Sequence, residues 1–322
     1  MHELQKTAPD IKPSPSFAAE PARPLALRTT SAMRVVRELR PPQWLKNGLV
    51  FFALIYALHL TSLPLLLRSI MAFVAFCCIS SAGYVFNDLR DLEYDRLHPT
   101  KRFRPLASGE VGRSTACVVA TLLLIGGFGL AGILGPPFVA VCTAYVGLTV
   151  SYSLWFKHMV VIDVFVVSAG FVLRIVAGAV AIGVPISPWL YVCTALGSLV
   201  IALGKRRSEI TGLGDSPESH RPTLEEYTVH FLDLLIVITA TGSMMAYSLY
   251  TFSAENVPRN HLMMITIPVV LYGVFRYLYL VQVRGLGGSP EELLLKDRSL
   301  GAAVALFLAL SAGILYLSPR GG

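Results

Sequence analysis

Asn87, Asp88, Asp91 and Asp95 crowd into one short stretch, and Lys101, Arg102 and Arg104 follow at once. On a helix the three aspartates fall within an arc of roughly 60° on one face. Carboxylates that close repel one another unless a cation lies between them. A hard divalent ion such as Mg2+ takes oxygen ligands and shares them with substrate phosphates. The basic residues just beyond supply what a polyanionic phosphate needs. The stretch therefore reads as a Mg2+-diphosphate site. Asp88, Asp91 and Asp95 are its catalytic metal carriers, and Asn87 is a further ligand if the helix unwinds there. A solvated helix end is the bland alternative, and the adjoining basic cluster counts against it.

Other polar groups interrupt apolar surroundings. Gln43, Lys46 and Asn47 enter the first apolar stretch beside Trp44, an interfacial anchor by type. Lys157 follows the fourth stretch and alone would be a snorkelling residue. Asp163 stands near the start of the fifth. Arg174 lies on nearly the same helix face but about 16 Å further along, too far to pair with Asp163. Ionisable groups inside membrane spans are costly and usually functional, so both need other partners. After the sixth stretch, Lys205, Arg206 and Arg207 read as a loop, and Arg221 recurs before the next helix. Three cations at a helix end are often only a stop signal; a lid over an anionic ligand is the sharper reading. The histidines have no metal-ligand spacing. Five cysteines inside apolar runs make no disulfide framework. No P-loop or nucleophile elbow occurs.

These residues must be positioned by membrane helices. The chain is 54% hydrophobic and only 15% charged, against about 25% in soluble domains, and its mean hydropathy is +0.62. Runs long enough to cross a bilayer, at about 20 residues each, fall at 46–62, 65–87, 113–134, 137–155, 160–183, 188–204, 229–252, 260–282 and 299–318. The prediction is an all-α integral membrane protein with nine transmembrane helices. Residues 1–40 are polar and proline-spotted, without a signal peptide's apolar core. They are expected to form a disordered cytoplasmic tail before a catalytic membrane domain at 41–320. With nine spans, nearly all the basic residues fall on one side. Arg68, Arg259 and Arg320 alone lie opposite. The acidic motif is therefore expected to face the cytoplasm across the inner (plasma) membrane. The net charge of +7 suits anionic headgroups and an anionic substrate. No nucleic-acid-binding module appears.

Taken together, the Asn-Asp-x-x-Asp-x-x-x-Asp motif and the following Lys-Arg-x-x-Pro-Leu-x-Ser-Gly resemble the UbiA superfamily of intramembrane prenyltransferases. That resemblance implies a nine-helix bundle with a Mg2+ cofactor. Members usually carry a second motif, Asp-x-x-x-Asp, after helix six; this chain has Lys205, Arg206, Arg207, Ser208 and Glu209 there. The departures resemble the decaprenyl-phosphate phosphoribosyltransferase branch. The matching segments are Arg40-Pro41-x-Gln43-Trp44-x-Lys46-Asn47, Gly170-Phe171-x-Leu173-Arg174, Gly204-Lys205-Arg206 and His220-Arg221-Pro222-x-Leu224-x-x-Tyr227. The resemblance implies 5-phosphoribosyl 1-diphosphate as donor and a polyprenyl phosphate as acceptor, with the product serving arabinan in the cell envelope. Lys46, Lys101, Arg102, Arg104, Lys205, Arg206, Arg221 and Tyr227 are then donor-side candidates. Gln43, Asn47, Lys157, Asp163 and Arg174 are candidates to orient the acceptor phosphate. Rival readings are a conventional polyprenyl-diphosphate prenyltransferase, a transporter and a scaffold. Oligomeric state stays open.

Overall fold

The structure, a computed structural model, describes residues 30–98, 100–212, 226–254 and 257–317. It is built from helices throughout: α1 (Ser31–Glu38), a 3-10 segment (Pro41–Leu49), α2 (Val50–Tyr56), α3 (Leu63–Arg90), α4 (Leu92–Leu97), α5 (Arg113–Leu134), α6 (Pro136–Leu154), α7 (Ile162–Ile182), α8 (Pro188–Gly212), α9 (Val229–Ser253), α10 (Ile267–Gln282), α11 (Pro290–Lys296) and α12 (Arg298–Leu317).

Among the described residues, eight helices are long and apolar enough to cross a membrane. Leu122, Ile125, Ile133 and Ile238 point outward from them, as lipid-facing side chains must. The predicted first span, 46–62, differs. Its first part is 3-10 and only Val50–Tyr56 is α-helical. Pro41 and Pro42 supply no N–H to a regular start. At the far end Leu58 turns out with a positive φ of 62°. The last residues assigned to a tail also differ, because 31–38 are helical and Glu38 is buried.

The core forms where α3 packs on α5 and α7, with α6 and α2 closing around them. Phe76 lies 6.1 Å from Phe138 and 5.2 Å from Tyr145, centroid to centroid. Gly178 lets α7 reach α2: a Cβ there would stand 2.1 Å from the Val50 carbonyl oxygen. Any larger residue would push α7, which carries Arg174, away from the start of α2, which directly follows the segment carrying Asn47.

Candidate active site

The acidic motif lies at the end of α3, but not on one helix face. Asp91 ends α3 at φ −90° and ψ 10°, and α4 restarts after it. This kink corrects the continuous-helix expectation. At the break, Lys157 donates to Asp91 Oδ1 at 2.6 Å, while Asn87 Nδ2 donates to Oδ2 at 3.2 Å. Asp88 and Asp95 instead share Arg104, whose Nη1 reaches Asp88 Oδ1 at 2.9 Å and Asp95 Oδ2 at 2.5 Å. Arg40 grips both oxygens of Asp88, one of them at 2.6 Å. Asn87 Oδ1 accepts from Ser153. Burial raises the Asp95 carboxyl above the usual range, partly offset by Arg104.

Glu38 is the residue that the sequence reading missed. It is 3% exposed, and its Oε2 accepts from the Leu106 N–H at 3.1 Å. Its Oε1 is buried without a hydrogen-bond partner among the described residues. Burial, then the charge of Asp88, pushes its carboxyl up to about 7. A glutamate in a polar N-terminal stretch carries no pattern that would single it out.

Does this set suit Mg2+? Its chemistry fits: Asn87, Asp88, Asp91 and Asp95 offer hard oxygens, and the buried Glu38 Oε1 beside them has no hydrogen-bond partner among the described residues. The ligands are not gathered. Among the described residues no three carboxylates, imidazoles or thiols stand close enough to hold a metal as placed. Arg40 and Arg104 engage Asp88 and Asp95, while Lys157 engages Asp91 separately.

A second cluster joins α6, α7, α8 and Tyr227 just before α9. Arg206 donates through Nε to Asp163 Oδ2 at 2.6 Å, through Nη2 to Tyr152 Oη at 2.8 Å, and to Glu209. Tyr227 donates to Asp163 Oδ1 at 2.8 Å and accepts from the Val161 N–H. Its own hydroxyl is held well above the usual range by burial and by Asp163. The predicted loop at 205–209 is thus helical, a correction with a clear cause. Arg206 is satisfied across the bundle and Arg207 by Asp233 at 2.7 Å, so α8 continues to Gly212. Lys205 is exposed and has no ion pair within 4 Å among the described residues. Lys101 acts electrostatically on Asp95. Arg102 is exposed and stacks over Phe103 instead. Arg221 lies outside the described residues.

Gln43 and Lys46 meet Glu291 of α11. Lys46 Nζ donates to Gln43 Oε1 at 2.5 Å and lies 3.3 Å from Glu291 Oε2, while Gln43 Nε2 donates to Glu291 Oε1. Below them runs an apolar cavity of about 350 Å³, lined by residues such as Leu49, Phe52, Phe171, Ile201 and Leu294. Arg174 belongs to neither cluster. Its three nitrogens donate to Asn47 Oδ1, the Gly170 carbonyl and Tyr145 Oη, all within 2.8 Å, and Asn47 is tied in turn to Ser80. These two bolt the 3-10 segment to α7.

Residues 48–284 match the model of the UbiA prenyltransferase family. A decaprenyl-phosphate phosphoribosyltransferase of Mycobacterium tuberculosis is 35% identical over 88% of this chain and 94% of its own length. A protein of the same description from Corynebacterium glutamicum is 35% identical over 88% and 87%. Among solved structures, a UbiA homolog from Archaeoglobus fulgidus bound to GPP and Mg2+ superimposes with a TM-score of 0.68 at 19% identity, over 88% of this chain and 99% of that one. With a family match across most of its length, this fold and these close relatives, the chain belongs to the UbiA prenyltransferase family.

Proposed function

We propose that the protein transfers the 5-phosphoribosyl group of 5-phosphoribosyl 1-diphosphate to a polyprenyl phosphate and releases diphosphate, serving arabinan precursor synthesis. The observation that carries this is a juxtaposition. An acidic and basic constellation (Asp88, Asp91, Asp95, Arg40, Arg104, Lys157) is joined through segment 40–47 to an apolar cavity. A soluble polyphosphate suits the first part and a lipid tail the second. The relatives' names agree with both substrates.

In the reaction, the bond from the sugar's anomeric carbon to the diphosphate oxygen breaks, and one from that carbon to a lipid phosphate oxygen forms. Mg2+ held by Asn87, Asp88, Asp91 and Asp95 would supply Lewis-acid neutralisation of the leaving group. Arg40, Arg104 and Lys101 would add charge-assisted bonds to the same oxygens. Lys205 and Arg206, with Arg221, are assigned to the donor's 5-phosphate, and Asp163 and Tyr227 fix the Arg206 fork. Lys157 orients the attacking phosphate. A phosphate monoester is largely ionised at neutral pH, with its second pKa near 6, so no general base is required. The constellation is assigned to the cytoplasmic side of the inner membrane, where a phosphorylated sugar donor is available.

The test is direct. Purified protein is given ribose-labelled 5-phosphoribosyl 1-diphosphate, Mg2+ and decaprenyl phosphate, and label is expected in the organic phase. Label that stays aqueous, while a polyprenyl diphosphate is consumed with an aromatic acceptor, would move the protein to conventional prenyl transfer.

A further inference from the structure

Glu291 is a carboxylate where the proposed reaction needs a phosphate. It is 6% exposed at the lip of the apolar cavity. Gln43 and Lys46 bind it, and the charge of Lys205 reaches it as well. Its Oε2 receives no hydrogen bond among the described residues, only the Lys46 ion pair. An amphiphile with its tail in that cavity must put its head at this lip. The groups there are the Lys46 ammonium and the Gln43 amide N–H, donors that a phosphate dianion takes. A carboxylate and a dianion cannot share them, because like charges a few ångströms apart in a half-dry site repel strongly.

We propose that Glu291 holds the seat of the acceptor's phosphate, and that α11 is a gate which the lipid opens by displacing it. Helix α11 suits this use. It is seven residues long and packs chiefly on the 3-10 segment and α12. The loop before it contains Gly285 at φ 68°, a conformation that glycine alone adopts without strain. In the closed state the carboxylate pairs with Lys46 and keeps it from sequestering other anions. Seating the lipid phosphate exchanges one anion for another and frees Glu291 toward solvent. The inference rests on the acceptor assigned above, keeps Gln43 on the acceptor side and moves Lys46 to it.

Two measurements decide it. The first is amide hydrogen exchange of the wild-type chain in detergent. Decaprenyl phosphate is expected to speed exchange across 290–296. Inorganic phosphate, or 5-phosphoribosyl 1-diphosphate with Mg2+, is expected to leave it unchanged. Slower or unaltered exchange with the lipid, or faster exchange with the soluble phosphates alone, overturns the gate. The second is Glu291→Gln, which removes the competing charge at nearly constant shape. The apparent KM for decaprenyl phosphate should fall roughly fivefold, on the scale of one lost charge-assisted bond, with the donor KM unchanged. A higher or unaltered acceptor KM would make Glu291 a support for Lys46 instead. If no transfer occurs yet lipid still opens 290–296, the reaction assigned above fails and the gate survives. If transfer proceeds while 290–296 stays closed, the gate alone fails.

Discussion

Arg40 and Arg104 neutralise Asp88 in this structure, and the same arginines are the nearest cations for an incoming diphosphate. Asp88→Asn would leave both with a weaker acceptor and remove a metal ligand. Transfer is expected to fall at least about a hundredfold, the usual scale for losing a group that stabilises developing charge. Size-exclusion behaviour should stay that of the wild type, and wild-type initial rates would refute the role. Asp91→Asn should do the same through Lys157. Glu38 offers a test that needs no substrate. Its folded-state carboxyl is raised from 4.5 to about 7, so the folded chain keeps a proton that the unfolded chain has already released. Stability must therefore fall as pH rises between those values, and the loss is complete above about pH 7. Glu38→Gln should flatten that slope, and melting curves at pH 5 and pH 8 compare the two proteins. A wild-type melting temperature that rose over this range would contradict the buried, partly orphaned carboxyl. Sequence reading found Asp88, Asp91 and Asp95 because charge crowding leaves a spacing signature. Glu38 and Glu291 leave none, since their meaning comes from burial created by distant elements.

At the level of elements, helix α8 separates two kinds of arginine. Arg206 crosses to Asp163 and Tyr152, whereas Arg207 bonds to Asp233 of α9 and the Val281 carbonyl of α10. A lysine cannot form the fork that joins three partners. Arg206→Lys should therefore raise the donor KM about tenfold, equivalent to one good charge-assisted bond. Arg207→Lys should leave that KM within about twofold and lower the melting temperature by a few degrees. Equal KM effects would place both arginines outside the donor site. The spans after the first were legible because long apolar runs leave few alternatives to helices in a bilayer, and the predicted 113–134 coincides with α5. What stayed hidden was where helices persist into polar sequence. Residues 205–209 look like a loop by composition, yet their charges are satisfied across the bundle, and tertiary pairing overrides local preference. The 3-10 segment was hidden for the opposite reason. Its apolar run reads as an ordinary span, while Asn47 must face Ser80 and Arg174 at once, a demand that only the folded bundle imposes.

For the molecule as a whole, the apolar cavity tells the two enzymatic readings apart. A conventional prenyltransferase carries its lipid tail on the donor, so obstructing the cavity would weaken the diphosphate substrate. In phosphoribosyl transfer the tail is on the acceptor, and the donor never enters the apolar part. Thr194 lines this cavity on α8, apart from both charged clusters. A Thr194→Trp side chain would occupy space needed by the first isoprene units. The apparent KM for decaprenyl phosphate should then rise by about tenfold or more, as expected when a few methylene contacts are lost at about 0.8 kcal/mol each. The KM for 5-phosphoribosyl 1-diphosphate and the Mg2+ dependence should hold at wild-type values, because neither substrate phosphate nor metal touches that wall. Initial rates with each substrate varied in turn separate the outcomes. If the donor KM rises while the acceptor KM stays fixed, the tail belongs to the donor, and the chain performs the chemistry of its prenyl-transferring relatives.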